Sequence, residues 1–312
     1  MTGYFLRRLL QVIPTLVGIT LLVFVTVRLS GDPIASYLGS DAADSAMITA
    51  EQEAAIRAHL GLDKPLALQY VLFLRNITLG DFGGSFIYQG RPALDLLIER
   101  VPATARLAAA ALLVAILISL PGGVIAALNR NKPADTLVNA FSVIGDAMPN
   151  FWLGVMLILL FSVKFGWLPV SGTGSWRHLL LPAITLGTSM AALQTRLMRS
   201  GLIEVLNQDY VRTARAKGLS TWSVVFKHAM RNAALGYVTL LGLAIPSLLG
   251  GSVVVERIFA WPGVGLLFIN GLGGRDMALI QAVVVFSAAM VILANLVVDL
   301  LYTLIDPRVR YA

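Results

Sequence analysis

Residues 107–128 read LAAAALLVAILISLPGGVIAAL, a run with no charged residue. As a helix it rises about 1.5 Å per residue, enough to cross a hydrocarbon core of about 30 Å. The same character recurs on either side. Leu9–Val27, Leu179–Thr195, Ala233–Val255 and Met277–Val298 carry no charge, and Thr136–Val163 is interrupted only by Asp146. Each run reaches the length of roughly 17 residues or more that a spanning helix needs. Lipid offers the backbone no hydrogen-bond partners, so such segments must satisfy themselves as helices. Charged residues make up only 13% of the 312, against 57% hydrophobic, whereas a soluble domain is about one quarter charged. The sequence therefore predicts an all-α integral membrane protein with six transmembrane helices.

Six spans place both termini on one side, and basic residues in the short loops choose that side. Thirteen cations fall on the terminal face: Arg7, Arg8, Arg130, Lys132, Arg196, Arg199, Arg212, Arg215, Lys217, Lys227, Arg231, Arg308 and Arg310. The short loops of the other face offer four: Lys164, Arg177, Arg257 and Arg275. The termini and the 196–232 loop are thus expected in the cytoplasm, and the net charge of +7 needs no nucleic acid to explain it. The apolar core of the first span is longer than the roughly 7–15 residues of a signal peptide, so it reads as a retained anchor. The expected organisation is residues 1–29 as N-terminus and first helix, 30–103 as a small extracytoplasmic insertion, and 104–312 as the remaining transmembrane domain. In the insertion, Thr49–Leu60 reads as a helix, with Thr49 as N-cap, Gln52 three residues on and Gly61 beyond its end. DKPLALQYVLFLRNI (63–77) reads as an amphipathic helix beginning near Pro65, and GDFGGSFIYQGRP (80–92) as turns.

Between the fourth and fifth apolar runs the pattern changes. YVRTARAKGLSTWSVVFKHAMRNA (210–233) packs five cations into two dozen residues. Helical periodicity stops and restarts at Gly218-Leu219-Ser220. Glycine suits the left-handed position that closes a helix, and serine suits the N-cap of the next. Asp209 reads as a cap at the positive end of the first helix. In the second, Trp222, Val225, Phe226, Ala229 and Ala233 share one face at helical spacing, while Lys227, His228, Arg231 and Asn232 share the other. Two readings stay open on these residues: a membrane-surface element whose cations meet anionic lipid, and a docking element for a cytoplasmic partner. A DNA-reading helix-turn-helix is disfavoured, because a segment held between spans cannot readily approach DNA.

Catalytic devices are missing from the sequence. It contains no G-x-x-x-x-G-K-[ST] phosphate loop, no H-E-x-x-H and no G-x-S-x-G, and it has no cysteine. Its histidines, at 59, 178 and 228, are scattered. The chain is therefore read as a non-enzyme that binds no metal or cofactor. The intramembrane acids Asp146 and Asp299 still need a reason, since a charge at mid-bilayer costs about 2.5–3.5 kcal/mol on insertion scales. One reading pairs helices, for instance Asp299 with Arg196 or Arg199. The other lines a translocation path with Asp146, Asn150 or Asn295, whose acid and amide groups suit a peptide backbone. Pro121, Pro149, Pro182 and Pro246 are expected to kink their spans.

Six blocks occur in register: LGLDKPLALQY (60–70), GDFGGSF (80–86), PNFWLGVMLILLF with GWLPVSG (149–172), DYVRTARAKGLS with HAMRNA (209–233), FAWPGVG (259–265) and NLVVDLLYTLIDPRVRY (295–311). Together they resemble the membrane permeases of ATP-binding-cassette importers, and within these the di- and oligopeptide branch. Arg212 stands where other permeases carry a motif glutamate, and Gly236 where the branch often has proline. The resemblance makes 204–233 the coupling segment, with Asp209, Tyr210, Ala214, Lys217, Gly218, Ser220 and His228 at or near an ATPase. It implies two ATPase subunits that hold ATP and Mg²⁺, and a homologous second permease forming a heterodimer. It also implies an extracytoplasmic binding protein docking on 30–103 and 256–276, in a bacterial cytoplasmic membrane. The expected cargo is di- or oligopeptides or similar small solutes. Rival readings are an ion-coupled secondary transporter, and a nickel-, glutathione- or sugar-specific member of the same family.

Overall fold

A computed structural model of the chain describes residues 2–29, Ala58 and 63–305. Among the described residues the regular elements are all helices. In chain order they are α1 (Thr2–Leu29), α2 (Leu66–Thr78), α3 (Ala93–Leu128), α4 (Pro133–Ala147), α5 (Asn150–Leu157), α6 (Trp176–Leu206), α7 (Asp209–Ala216), the single turn α8 (Thr221–Ser223), α9 (Met230–Gly251), α10 (Val253–Ile258), α11 (Val264–Gly273) and α12 (Met277–Ile305). Two stretches widen into π-helical geometry: Ile158–Lys164 after α5, and Val224–Ala229 between α8 and α9. The expected helix at Thr49–Leu60 lies outside the described residues, as does the side chain of Asp299.

The chain divides into two compact units. The first comprises Met1–Ala103 with Pro262–Ile292. Here Pro65, extended at φ −54° and ψ 143°, opens α2, as the sequence predicts. This helix is fastened to α1 by Tyr70, whose hydroxyl donates to the Val17 carbonyl at 3.0 Å and lies 2.9 Å from Thr20 Oγ1. Residues 80–92 form turns with positive φ at Gly80, Gly83, Gln89 and Gly90. The core joins Leu96 and Leu97 of α3 to Leu267 of α11 and to Leu279 and Ala282 of α12. Fully buried Asp276 accepts the Leu279 N–H at 3.2 Å, the Ser85 hydroxyl at 2.5 Å and the Ile87 N–H at 3.3 Å. One carboxylate thereby caps α12 and anchors the turn segment.

The second unit comprises Thr104–Trp261 with Leu293–Ala312. Within it α6 packs against α4, α5 and α9. The α3 backbone approaches closely at Gly187, where an added Cβ would stand 2.7 Å from the Ala111 carbonyl oxygen. Val124, Met198, Leu202, Val225, Ala229 and Tyr237 form the apolar core between α3, α6 and α9.

The run Thr136–Val163 is not one straight span. It divides into α4 and α5, bent by 104°. The cause is local. A residue before proline is pushed out of the α region, and Met148 is extended at φ −83°, ψ 120°, directly before Pro149. Pro182 lies inside a helix that continues through it, and Pro121 and Pro246 likewise fall within α3 and α9. Of the four prolines, then, Pro149 is the one at a break. Among the described residues, Ala93–Leu128 and Met277–Val297 are each long and apolar enough to cross a membrane alone, and the bent pair α4–α5 meets the same test together. The fifth apolar run is divided at Ser252, between α9 and α10.

Candidate functional site

The segment around α7 is built from two reciprocal helix ends. Asp209 occupies the first turn of α7, while Gln208 stands at the N-cap without a side-chain cap bond. This corrects the expectation that Asp209 is the cap: it lies one residue inside, where a negative charge still suits the helix dipole. Its pair with Arg212, 3.4 Å apart with the side chains 95% and 72% exposed, is screened by water and adds little. At the other end Gly218 has φ +80°. Its N–H donates to the Arg215 carbonyl at 2.9 Å, and the Leu219 N–H donates to the Ala214 carbonyl at 3.3 Å. These are the two bonds of a Schellman closure. Ser220 Oγ then accepts the Ser223 N–H at 3.4 Å and caps the next helix, as expected.

Ala214 stands four residues before Gly218, and the closure gives that spacing a physical reason. Ala214 supplies the carbonyl that receives the closing bond, and its small side chain is buried with Val211 against Val224, with Val205 and Leu206 packed beside them. Ala214 therefore faces inward, whereas Lys217 and Gly218 are exposed at the tip. Tyr210 Oη accepts from Asn232 Nδ2 at 2.8 Å, tying the start of α7 to the start of α9. Arg212, Arg215, Lys217, Lys227 and Arg231 are exposed, and His228 is half-buried.

The predicted apolar face of the second helix needs correction. Val224, Val225, Ala229 and Ala233 are buried. Trp222 and Phe226 are instead 68% and 49% exposed, stacked on each other with centroids 4.9 Å apart and planes 8° from parallel. A single apolar face for these residues requires 3.6 residues per turn. Val224–Ala229 is π-helical, which holds more residues per turn and rotates the inward face.

Asp146 accepts from Arg196 Nη2 at 2.6 Å. Asn150 Oδ1 accepts the Ser189 hydroxyl. Both are thus tied to α6, while Asn295 is exposed on α12. The expected pairing of Asp299 with Arg196 or Arg199 falls on a side chain outside the described residues. Arg196 holds Asp146, and Arg199 grips buried Asp135 through two bonds of 2.6 and 2.7 Å. Asp135 also accepts the Asn131 N–H at 2.9 Å and Asn139 Nδ2 at 2.7 Å. The sequence reading missed Asp135; its signal was an acid just inside a helix opened by Pro133, three residues after Lys132. It also missed the buried contact of Ser119 with Tyr237 at 2.7 Å, which joins α3 to α9.

Comparisons with known proteins bear on this geometry. Residues 119–311 match the family described as binding-protein-dependent transport system inner membrane component, and residues 1–108 match the N-terminal region described for such membrane components. The chain is 42% identical to the oligopeptide transport system permease protein AppB of Bacillus subtilis over 322 aligned residues, covering 100% of both chains. It is 43% identical to the glutathione transport system permease protein GsiC of Escherichia coli strain K12, again over 100% of both. Among solved structures, a chain from inward-facing crystals of the MetNI methionine ABC transporter superposes with a TM-score of 0.58 at 21% identity, covering 68% of this chain and 96% of that one. At that identity the likeness speaks for the fold.

Proposed function

From the premise that this chain belongs to the family of binding-protein-dependent transport system inner membrane components, a multi-pass permease of the bacterial cytoplasmic membrane, we propose how it works. It crosses the membrane six times with both termini in the cytoplasm, and its 30–103 segment stands outside. It pairs with a homologous second permease and with two ATPases, which hold ATP and Mg²⁺ while this chain holds neither. An extracytoplasmic binding protein delivers the solute. The cargo is a di- or oligopeptide or a similar small solute such as glutathione, by likeness to the named relatives.

The segment 204–233 transmits the ATPase motion. The observation that carries this is the bracing of α7 at several points. Its inner face packs on Val205 and Leu206 at the end of α6, its first turn is tied to Asn232, and its last turn is closed by the left-handed Gly218. A push on so constrained an element moves α6 and α9 rather than bending the element itself. The exposed cations suit a contact that is made and released, because polar pairs at a surface bind weakly and fast.

Gly218 provides the test. A residue with a β-carbon loses about 1–2 kcal/mol in the left-handed region, and no atom lies within 4 Å of a Cβ built at Gly218, so the effect is one of backbone alone. In the Gly218→Leu variant the complex assembles and hydrolyses ATP, but uptake falls about five- to thirtyfold, the factor in an equilibrium that about 1–2 kcal/mol represents. Gly218→Asn, which tolerates this conformation, retains most of it. Normal uptake in the leucine variant would remove the coupling role.

A further inference from the structure

We propose that the hollow between α3 and α11 is a carboxylate socket, and that its occupant is an acidic side chain of the extracytoplasmic binding protein. The inference rests on the topology proposed above. The cavity measures about 100 Å³ and is lined by Tyr88, Arg100, Pro262, Gly263 and Asn270, with Leu267 among its apolar lining residues. That is room for a carboxylate and its adjoining methylenes, since a single water needs about 10–15 Å³ by the same measure.

The chemistry of the walls is that of an anion site. Arg100 is half-buried, and its side chain makes no hydrogen bond or ion pair among the described residues. Its neighbour Glu99 is already engaged by Arg91 at 2.5 Å. A guanidinium presents a fork that matches a carboxylate in two bonds, and Tyr88 and Asn270, which also line the hollow, are residue types that carry further donors. Gly263 is the N-cap of α11, so the positive end of that helix also borders the hollow. The walls are rigid. The Leu267 N–H bonds the Gly263 carbonyl at 3.1 Å, and Leu267 belongs to the buried core with Leu96 and Leu97. A preformed socket loses little entropy when filled. The lining comes from both segments, 30–103 and 256–276, that face the outside in the proposed topology.

The test uses the complete importer in nanodiscs, with ATP turnover measured against the concentration of its solute-loaded binding protein. In the Arg100→Gln complex the half-maximal concentration rises about tenfold, with the maximal rate unchanged, and its dependence on salt flattens. Arg100→Lys recovers part of the loss, and Asn270→Ala has a smaller effect in the same direction. An Arg100→Gln complex with an unchanged half-maximal concentration overturns the socket. So does a variant that binds the protein normally but takes up only carboxylate-bearing solutes poorly, because that outcome assigns the site to the cargo instead. If the wild-type complex shows no stimulation by any binding protein, the functional reading fails rather than the socket.

Discussion

Two of the chain's sharp turns, at Met148-Pro149 and at Gly218, are built in opposite ways. At Gly218 the turn is polar, exposed and closed by backbone bonds of its own. At Pro149 the turn interrupts an apolar run, and the arms on either side are held by side chains reaching to α6: Asp135 to Arg199, Asp146 to Arg196, and Asn150 to Ser189. The difference is that a turn carrying its own closure keeps its shape when neighbours shift. A turn held from outside depends on its partner helix. The first is suited to a handle, the second to a part whose angle follows the surrounding bundle.

The largest effect that separates the two is expected at Arg199. Its pair with Asp135 has side chains only 25% and 5% exposed. Removing one partner of a buried pair leaves an uncompensated charge and costs about 3 kcal/mol or more. Arg199→Ala should therefore lower the thermal unfolding midpoint of the detergent-solubilised chain by many degrees, with Arg199→Lys intermediate. A change of a degree or less would mean that the α4 arm is not held this way. Next comes Ala214→Leu, which overfills the contact with Val224 at a cost of about 1–3 kcal/mol. The expected readout is loss of ATPase association while the chain still inserts. Unaltered association would show that α7 is looser than its packing implies.

The smallest effect belongs to Arg196. Its pair with Asp146 is 38% and 50% exposed, less enclosed than Arg199 with Asp135, so Arg196→Ala should lower the unfolding midpoint by less than Arg199→Ala. This sharpens the comparison, since Asp146 then becomes testable apart from folding. If Asp146→Asn is well expressed yet fails in uptake, Asp146 belongs to the path. If uptake is normal, its role is to steady the bend.

Much of the 209–233 segment was legible because its determinants are local. Gly218, Ser220 and Ala214 act through bonds within a few residues, and propensity for a left-handed glycine or a serine cap does not depend on distant partners. The same holds for Pro65 and the turns of 80–92. Trp222 and Phe226 were misread for a different reason. Their exposure follows from π-helical backbone, and no residue in VVFKHA announces that widening. Asp209 was misplaced by one residue, within the ordinary uncertainty of a helix boundary.

By itself, the sequence determined that the chain is helical and membrane-embedded, because uncharged runs of that length have no other stable state in lipid. It also located a cationic two-helix segment between the fourth and fifth runs. Only the tertiary structure decided which arginine meets which aspartate, that α4 and α5 meet at 104°, and that Asp276 holds the turns of 80–92 to α12. Those choices depend on which helices lie side by side, and a pairing across 64 or 191 residues leaves no periodic trace in the chain that makes it.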